Sequence, residues 1–235
     1  MILYGRNAVR EALRGRRPVA RVWAETDQLA VEPSAAGVPV EHAGAEALEA
    51  LCGSPDHQGI VCEAGPFPYA DPASLLEDGQ ALVVALDQIQ DPQNLGAICR
   101  SAEAAGASGV VIPERRAAEI TPAVCRASAG AVEHLPVARV RNLADYLADA
   151  KRAGAWAYGA GAEAERLYTD VDWAGPAVIV LGSEGKGLRP RVRDACDDLV
   201  RVPLLGQVES LNVAATAAIL LYEAVRSRAA AGPGT

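Results

Sequence analysis

Residues 202–222 read V-P-L-L-G-Q-V-E-S-L-N-V-A-A-T-A-A-I-L-L-Y, and this stretch decides the architecture. It continues an apolar run, Leu199 to Leu205, that ends on Gly206. A polar turn with Glu209 follows, and from Ser210 onward come helix formers, apolar on nearly every face. A helix that is apolar all round packs inside a domain, so a buried helix is expected here. Its first turn carries Ser210 and Asn212, residue types that satisfy the orphan N–H groups of a helix start. A buried helix N-terminus with spare polar groups is equally a ready ligand site.

Upstream of this stretch, strand and helix patterns alternate. Ala81 to Leu86 is a continuous apolar run that ends in Asp87-Gln88, as expected of a strand covered on both faces. Asp91-Pro92 forces a turn, and Asn94 is expected to cap a helix with Leu95, Ile98, Ala102 and Ala105 on one stripe. Val110–Ile112 reads as a strand, Thr121-Pro122 as a helix start, Leu135–Val140 as a strand and Leu143–Ala153 as a helix. Trp156–Gly159 is a weaker strand. Ala177–Leu181 is a strong one, and it runs into Gly182-Ser183-Glu184-Gly185-Lys186-Gly187. Leu188 to Cys196 reads as a short helix broken by Pro190. Such alternation builds a mostly parallel sheet in an α/β domain.

Residues 1–64 read as a smaller α/β unit. Its elements are a helix after Gly5-Arg6-Asn7, strands at Val19–Ala24 and Val38–Glu41, a helix over Ala43–Leu51 and a strand at Gly59–Cys62. Residues 65–80, rich in proline and glycine, are expected to link it to a second domain over 81–228, with 229–235 as a frayed tail.

Half of the 235 residues are hydrophobic but only 4% are aromatic, so Ala, Val, Leu and Ile must fill the core. The net charge of −8 argues against a protein that grips nucleic acid over its whole surface. Residues 1–22 run against that total, with six arginines and one glutamate, either a solvated face or a phosphate-contacting patch. The five cysteines form no C-x-x-C pair, and the three histidines lie far apart. Neither a disulfide framework nor a metal site is expected. No stretch reaches the roughly 18 apolar residues of a membrane helix. A cytoplasmic protein is the expectation.

Ligands of an open parallel sheet bind beyond the carboxyl ends of its strands. Three such ends are unusual: 87–100, 181–188 and 202–212. The glycine-rich one is neither a Walker loop nor a dinucleotide fingerprint, because Lys186 precedes Gly187 rather than Ser or Thr and the spacing is wrong. Glu184 does nothing for turn geometry there. Arg100, on the first, is either half of an exposed pair with Glu103 or a phosphate ligand.

Together, N-L-G-A-I-C-R (94–100), G-S-E-G-K-G-L (182–188) and V-P-L-L-G-Q-V-E-S-L-N-V-A (202–214) resemble the three motifs of the SpoU/TrmH family of RNA ribose 2′-O-methyltransferases. They stand in the family's order and at its spacings. Y-G-R-N-A-V-R-E-A-L (4–13) and H-Q-G-I-V (57–61) resemble the substrate-binding domain of the branch that modifies large-subunit ribosomal RNA. The resemblance implies a catalytic α/β domain with a deep trefoil knot, and a homodimer packed through the knot helices. It implies S-adenosylmethionine bound by Leu181, Gly182, Val202, Leu204 and Leu211, with Asn94, Arg100, Glu184, Ser210 and Asn212 at the family's functional positions. RNA is the implied partner, most directly a guanosine of the large subunit. Arg6, Arg10, Arg115, Arg116 and Arg126 are then candidate backbone contacts. His57 and Cys99, Cys125 and Cys196 read more simply as structural. A transfer-RNA or antibiotic-resistance methyltransferase, a non-catalytic RNA-binding or ribosome-assembly protein that kept the fold, and a nucleotide-dependent oxidoreductase are the competing readings. Intact Asn94, Arg100 and Glu184 weigh against the pure binder, and the missing dinucleotide fingerprint against the oxidoreductase.

Overall fold

The structure, a computed structural model, describes residues 1–183 and 185–231. The chain divides into two compact units, one of residues 1–68 with 120–134 and one of 69–119 with 135 onward.

In chain order the first unit begins with β1 (Ile2–Tyr4), α1 (Arg6–Arg14), β2 (Val19–Ala24), α2 (Asp27–Ala35), β3 (Val40–His42), α3 (Ala45–Cys52) and β4 (Ile60–Ala64). The second supplies β5 (Leu82–Asp87), α4 (Pro92–Ala104) and β6 (Gly109–Pro113). The chain then returns to the first unit for α5 (Pro122–Ala127). The rest belongs to the second: β7 (Val137–Val140), α6 (Leu143–Arg152), β8 (Trp156–Ala160), β9 (Arg166–Leu167), β10 (Ala177–Gly182), α7 (Pro190–Ala195), β11 (Asp198–Arg201) and α8 (Val213–Ala231).

The first unit is a four-stranded mixed sheet, ordered β1-β4-β2-β3, in which only β2 and β3 run parallel. Ala8, Val9 and Ala12 recur at helical spacing on α1 and are buried. Residues 120–134 correct the expectation of a contiguous second domain, because their side chains belong to this core. Arg17 and Glu133, both side chains 1% exposed, form an ion pair of 2.5 Å. The Arg17 guanidinium also donates to the Gly65 carbonyl and to the Cys125 Sγ, so its buried donors are partnered as burial requires.

The N-terminal arginines are largely neutralised. Arg10 pairs with Glu11, Arg14 with Glu11 and Glu32, and Arg21 with Glu41. Arg6 is held instead by Gln58, whose side-chain oxygen accepts from the Arg6 N–H and whose carbonyl accepts from Nε.

The second unit is a seven-stranded, wholly parallel sheet ordered β7-β6-β5-β10-β8-β11-β9. Every residue of β5 and β6 is buried, as the unbroken apolar runs predict for strands covered on both faces. Val83, Ala85, Val111, Val178 and Val180 pack with Leu143, Leu147 and Ala150 of α6 on one face. On α8, Val213, Ala217, Leu220, Leu221 and Ala224 are buried, but Tyr222 is 51% exposed. The helix expected to be buried all round is therefore buried along one side within this chain.

Three local expectations are corrected. Residues from Tyr69 onward pack in the second unit, with Leu75 buried in a short turn of 3-10 helix over 72–76, so the linker is shorter than expected. Pro190 starts α7 at the position where a missing N–H costs nothing, and does not break it. The helical run reaches Ala231, inside the expected tail, whose residues 232–235 lie outside the described residues.

Candidate cofactor site

Three segments converge at the carboxyl ends of β5, β10 and β11, and each pair of them is joined by a distinct contact. The first and second are joined by Asp87. Its buried carboxylate accepts from the Arg189 backbone N–H at 2.8 Å and from the Arg189 guanidinium Nε at 2.7 Å. Charge-assisted bonds to a buried acceptor are the strong kind, so the chain leaving the glycine-rich loop is pinned to the end of β5. Gln88 follows in a left-handed conformation at φ 64°.

The first and third segments are joined by two amides. Asn212 Nδ2 donates to Asn94 Oδ1 at 2.9 Å. The same Asn212 caps α8, because its Oδ1 accepts from the N–H groups of Ala214 at 2.8 Å and Ala215 at 3.3 Å. One side chain thus closes the helix start and ties it to α4. The capping role falls to Asn212, while Ser210 is exposed in the turn before it. On α4 the cap is Asp91, which accepts from the Gln93 N–H, with Pro92 at the first helical position. Asn94 is therefore a buried first-turn residue and not the expected cap.

The second and third segments enclose a cavity of about 580 Å³, within the roughly 300–1,000 Å³ usual for small-molecule sites. Leu181, Gly182, Val202, Leu204 and Leu211, the five expected cofactor residues, all line it, and so does Ser210. A Cβ on Gly182 would stand 2.1 Å from the Gly187 carbonyl carbon, so only glycine permits this approach of backbone to backbone. Ser183 and Gly187 close the loop with two backbone hydrogen bonds, and Gly187 is left-handed at φ 63°. At Gly182 and Gly187 the loop is therefore a narrow wall of bare backbone. Apolar Leu181, Leu204, Leu211 and Leu220 suit a nucleobase, while Lys186, Arg193, Arg201, Glu163 and Glu209 give the same cavity charged groups for an amino-acid tail. These walls fit an adenosyl amino acid.

The other expected residues fall elsewhere. Arg100 is exposed on α4, away from the cavity wall, and makes no ion pair among the described residues. Glu184 lies outside the described residues. Arg115 and Arg116 are exposed in the loop after β6, and Arg116 is left-handed at φ 60°. In the first unit, Arg6 and Arg10 are exposed, and Arg126 pairs with Asp56 and stands 5.6 Å over the Tyr4 ring. His57 is buried, with Nδ1 accepting from the Gly59 N–H. Cys99 and Cys125 are buried and Cys196 is half-buried. Among the described residues no cluster of His, Cys, Asp and Glu could hold a metal ion, and no helix is long and apolar enough to cross a membrane.

Two parts of the site escaped sequence reading. Asp87 and Arg189 stand 102 residues apart, and only the parallel pairing of β5 with β10 brings them together. The charged end of an otherwise apolar strand was the available signal. Ala160 to Glu163, after β8, form another cavity wall. Nothing in that alanine- and glutamate-rich turn marks it.

Two family models match the chain: the SpoU rRNA Methylase family over residues 81–222 and the RNA 2′-O ribose methyltransferase substrate-binding domain over 2–70. A putative TrmH family tRNA/rRNA methyltransferase of Bacillus subtilis is 37% identical over 95% of this chain and 94% of its own length. A relative of the same description from Staphylococcus haemolyticus is 35% identical over 97% and 96%. Among solved structures, the SpoU methyltransferase AviRb from Streptomyces viridochromogenes in complex with AdoMet superposes with a TM-score of 0.84, at 27% identity over 98% of this chain and 91% of that one. An AdoMet-bound rRNA methyltransferase from Sinorhizobium meliloti superposes with a TM-score of 0.82, at 27% identity over 96% and 86%. With both domains matched, two motif segments lining one cavity and the first hydrogen-bonded to the third, the chain belongs to the SpoU/TrmH family of AdoMet-dependent RNA methyltransferases.

Proposed function

We propose that this protein methylates the 2′-hydroxyl of a ribose in RNA, and that its target is a guanosine of large-subunit ribosomal RNA. The observation that carries the transfer reading is the cavity whose two walls are the second and third motifs, tied to the first by the Asn94–Asn212 bond. When bound, S-adenosylmethionine supplies an electrophilic methyl group. Leu181, Gly182, Val202, Leu204 and Leu211 hold it, and Asn94 and Asn212 fix the helix starts beside it. Ser210 presents a hydroxyl at the cavity wall, and Glu184 holds the loop and the nucleotide.

Arg100 anchors the target phosphate and stabilises the alkoxide that develops on the ribose oxygen. A guanidinium does not give up its proton in a protein, so it serves as a charge and a positioning fork, and the neighbouring phosphate takes part in the departure of the hydroxyl proton. Phosphates along the RNA meet Arg6, Arg10 and Arg126 of the first unit and Arg115 and Arg116 of the second. Unpaired loop nucleotides are the expected target, since duplex RNA hides its base edges.

A homodimer packed through α8 covers the exposed Leu205, Val208 and Tyr222. We extend the same reading to the chain path, in which the C-terminal part of the catalytic domain threads a deep trefoil knot; a crystal structure of the protein tests it. The working compartment is the cytoplasm.

The relatives named as tRNA/rRNA methyltransferases support RNA as substrate and keep a transfer-RNA target as the second reading. Mapping ribose methylation in ribosomal and transfer RNA from cells with and without the gene decides between them. Loss at one large-subunit guanosine is the expected result, loss only in transfer RNA moves the target, and no change in any RNA sinks the proposal. For Arg100, the Arg100→Lys enzyme should lose most of its turnover; near-normal turnover removes any special role for the guanidinium.

A further inference from the structure

A third wall of the cavity carries a carboxylate that none of the three motifs contains. Residues 160–163 line the pocket where β8 ends. Within this turn Glu163 folds back on the backbone, with its carboxylate 3.5–3.6 Å from where a Gly161 Cβ would stand. Its Oε1 meets the Arg193 guanidinium of α7 at 3.1 Å, and Arg193 lines the same cavity. Both side chains are about half exposed, 61% and 47%. A surface ion pair of this kind adds little to stability, and its position at a cavity wall calls for another use.

We infer that Glu163 is a cofactor-binding residue that accepts the two ribose hydroxyls of S-adenosylmethionine, and that Arg193 is the positioning residue that holds it. The inference rests on the placement of the cofactor in this cavity. Three observations carry it. A carboxylate at the carboxyl end of a parallel strand is the acceptor that a vicinal diol requires, as in other nucleotide-binding α/β sheets. The Glu163 charge is already matched by Arg193, so a neutral pair of hydroxyl donors suits it, whereas the cofactor's ammonium would meet the guanidinium as a like charge. The remaining cations of the wall, Lys186 and Arg201, are available to the cofactor's own carboxylate.

Calorimetry tests this without RNA or turnover, using S-adenosylmethionine and 5′-methylthioadenosine, which keeps the ribose and lacks the amino-acid tail. Glu163→Ala should weaken both ligands by about 10- to 100-fold, the range for a hydrogen bond to a charged group. Arg193→Met should weaken both by a smaller factor, and Arg193→Lys should restore part of it. Far-UV circular dichroism and melting should match the parent, since both residues are exposed. Loss confined to S-adenosylmethionine overturns the diol assignment in favour of the ammonium. Unchanged binding of both by Glu163→Ala overturns the assignment outright. A parallel Gly182→Ala protein separates the two levels: if it too binds normally, the cofactor is not in this cavity, and if it alone fails, only the role of Glu163 is wrong.

Discussion

Two of the ion pairs that bridge distant parts of this chain differ in what surrounds them. Arg17 and Glu133 are both enclosed, and the pair closes the core of the first unit over a separation of 116 residues. Asp87 and Arg189 are asymmetric: the carboxylate is fully buried while the guanidinium is 45% exposed. Desolvating two charges costs more than desolvating one, and neither partner of a buried pair can be removed cheaply. The enclosed pair therefore acts on whether a unit folds. The half-open pair acts on where a loop sits, because its acceptor also holds a backbone N–H at the edge of the cofactor cavity.

That contrast can be broken most severely in the first unit. Glu133→Ala leaves the Arg17 charge buried without its partner and should cost about 3–5 kcal/mol, read as a lowered urea midpoint for that unit. An unchanged midpoint would mean the pair is solvated and the two sites are alike. In the second unit Asp87→Ala should cost about 1–3 kcal/mol from the donors it strands. Its clearer readout is weakened binding of S-adenosylmethionine with most of the fold intact. If stability falls as far as in Glu133→Ala while cofactor affinity holds, the assignment of one pair to folding and the other to positioning is reversed.

A smaller effect sharpens the picture at the helix start. Asn212→Ala removes the α8 cap and the bond to Asn94, and should cost about 1 kcal/mol for the cap, seen as a modest fall in melting temperature. Asn212→Asp keeps the cap acceptor but loses the Nδ2 donor, so it should recover most stability and less cofactor binding.

The smallest effect is read as thiol reactivity. Burial pushes the thiols of Cys62 and Cys125 up to about 12, so both stay protonated near neutral pH and should react with an aromatic disulfide far more slowly than half-buried Cys52. Reactivity should rise only as the pH climbs towards that value. For Cys125, buried Glu133 adds to the upward push and Arg17 opposes it. Glu133→Gln should therefore lower the Cys125 value and speed its modification; no change would place the thiol outside the field of the pair.

Much of this was legible in the sequence because the signals were local. The apolar runs at Ala81–Leu86 and Ala177–Leu181 became β5 and β10 within a residue of their expected limits, since a strand buried on both faces has no polar alternation to blur it. The three motif segments were legible from resemblance, and five expected cofactor residues line one cavity. What escaped was set by tertiary context. α2 carries Pro33, which reads as a helix breaker, and β1 is three residues long, below the length at which periodicity can be seen. Ser210 and Asn212 are equally good caps by chemistry, and only the backbone path decides that the helix starts at Val213. The return of residues 120–134 to the first unit left no local mark, because a buried Glu133 looks like any surface glutamate until Arg17 is placed beside it.

The order of strands across the larger sheet has a consequence for how the protein is made. β10 lies between β5 and β8, both of which precede it in the chain. While the polypeptide emerges from the ribosome, β5 has a neighbour on one side only until Ala177–Gly182 is synthesised, and its free edge belongs to a strand with no polar face. An unpaired apolar edge of that kind is a template for association between chains. Dilution or a chaperone should accordingly decide the yield of refolding, well before any question of methyl transfer arises.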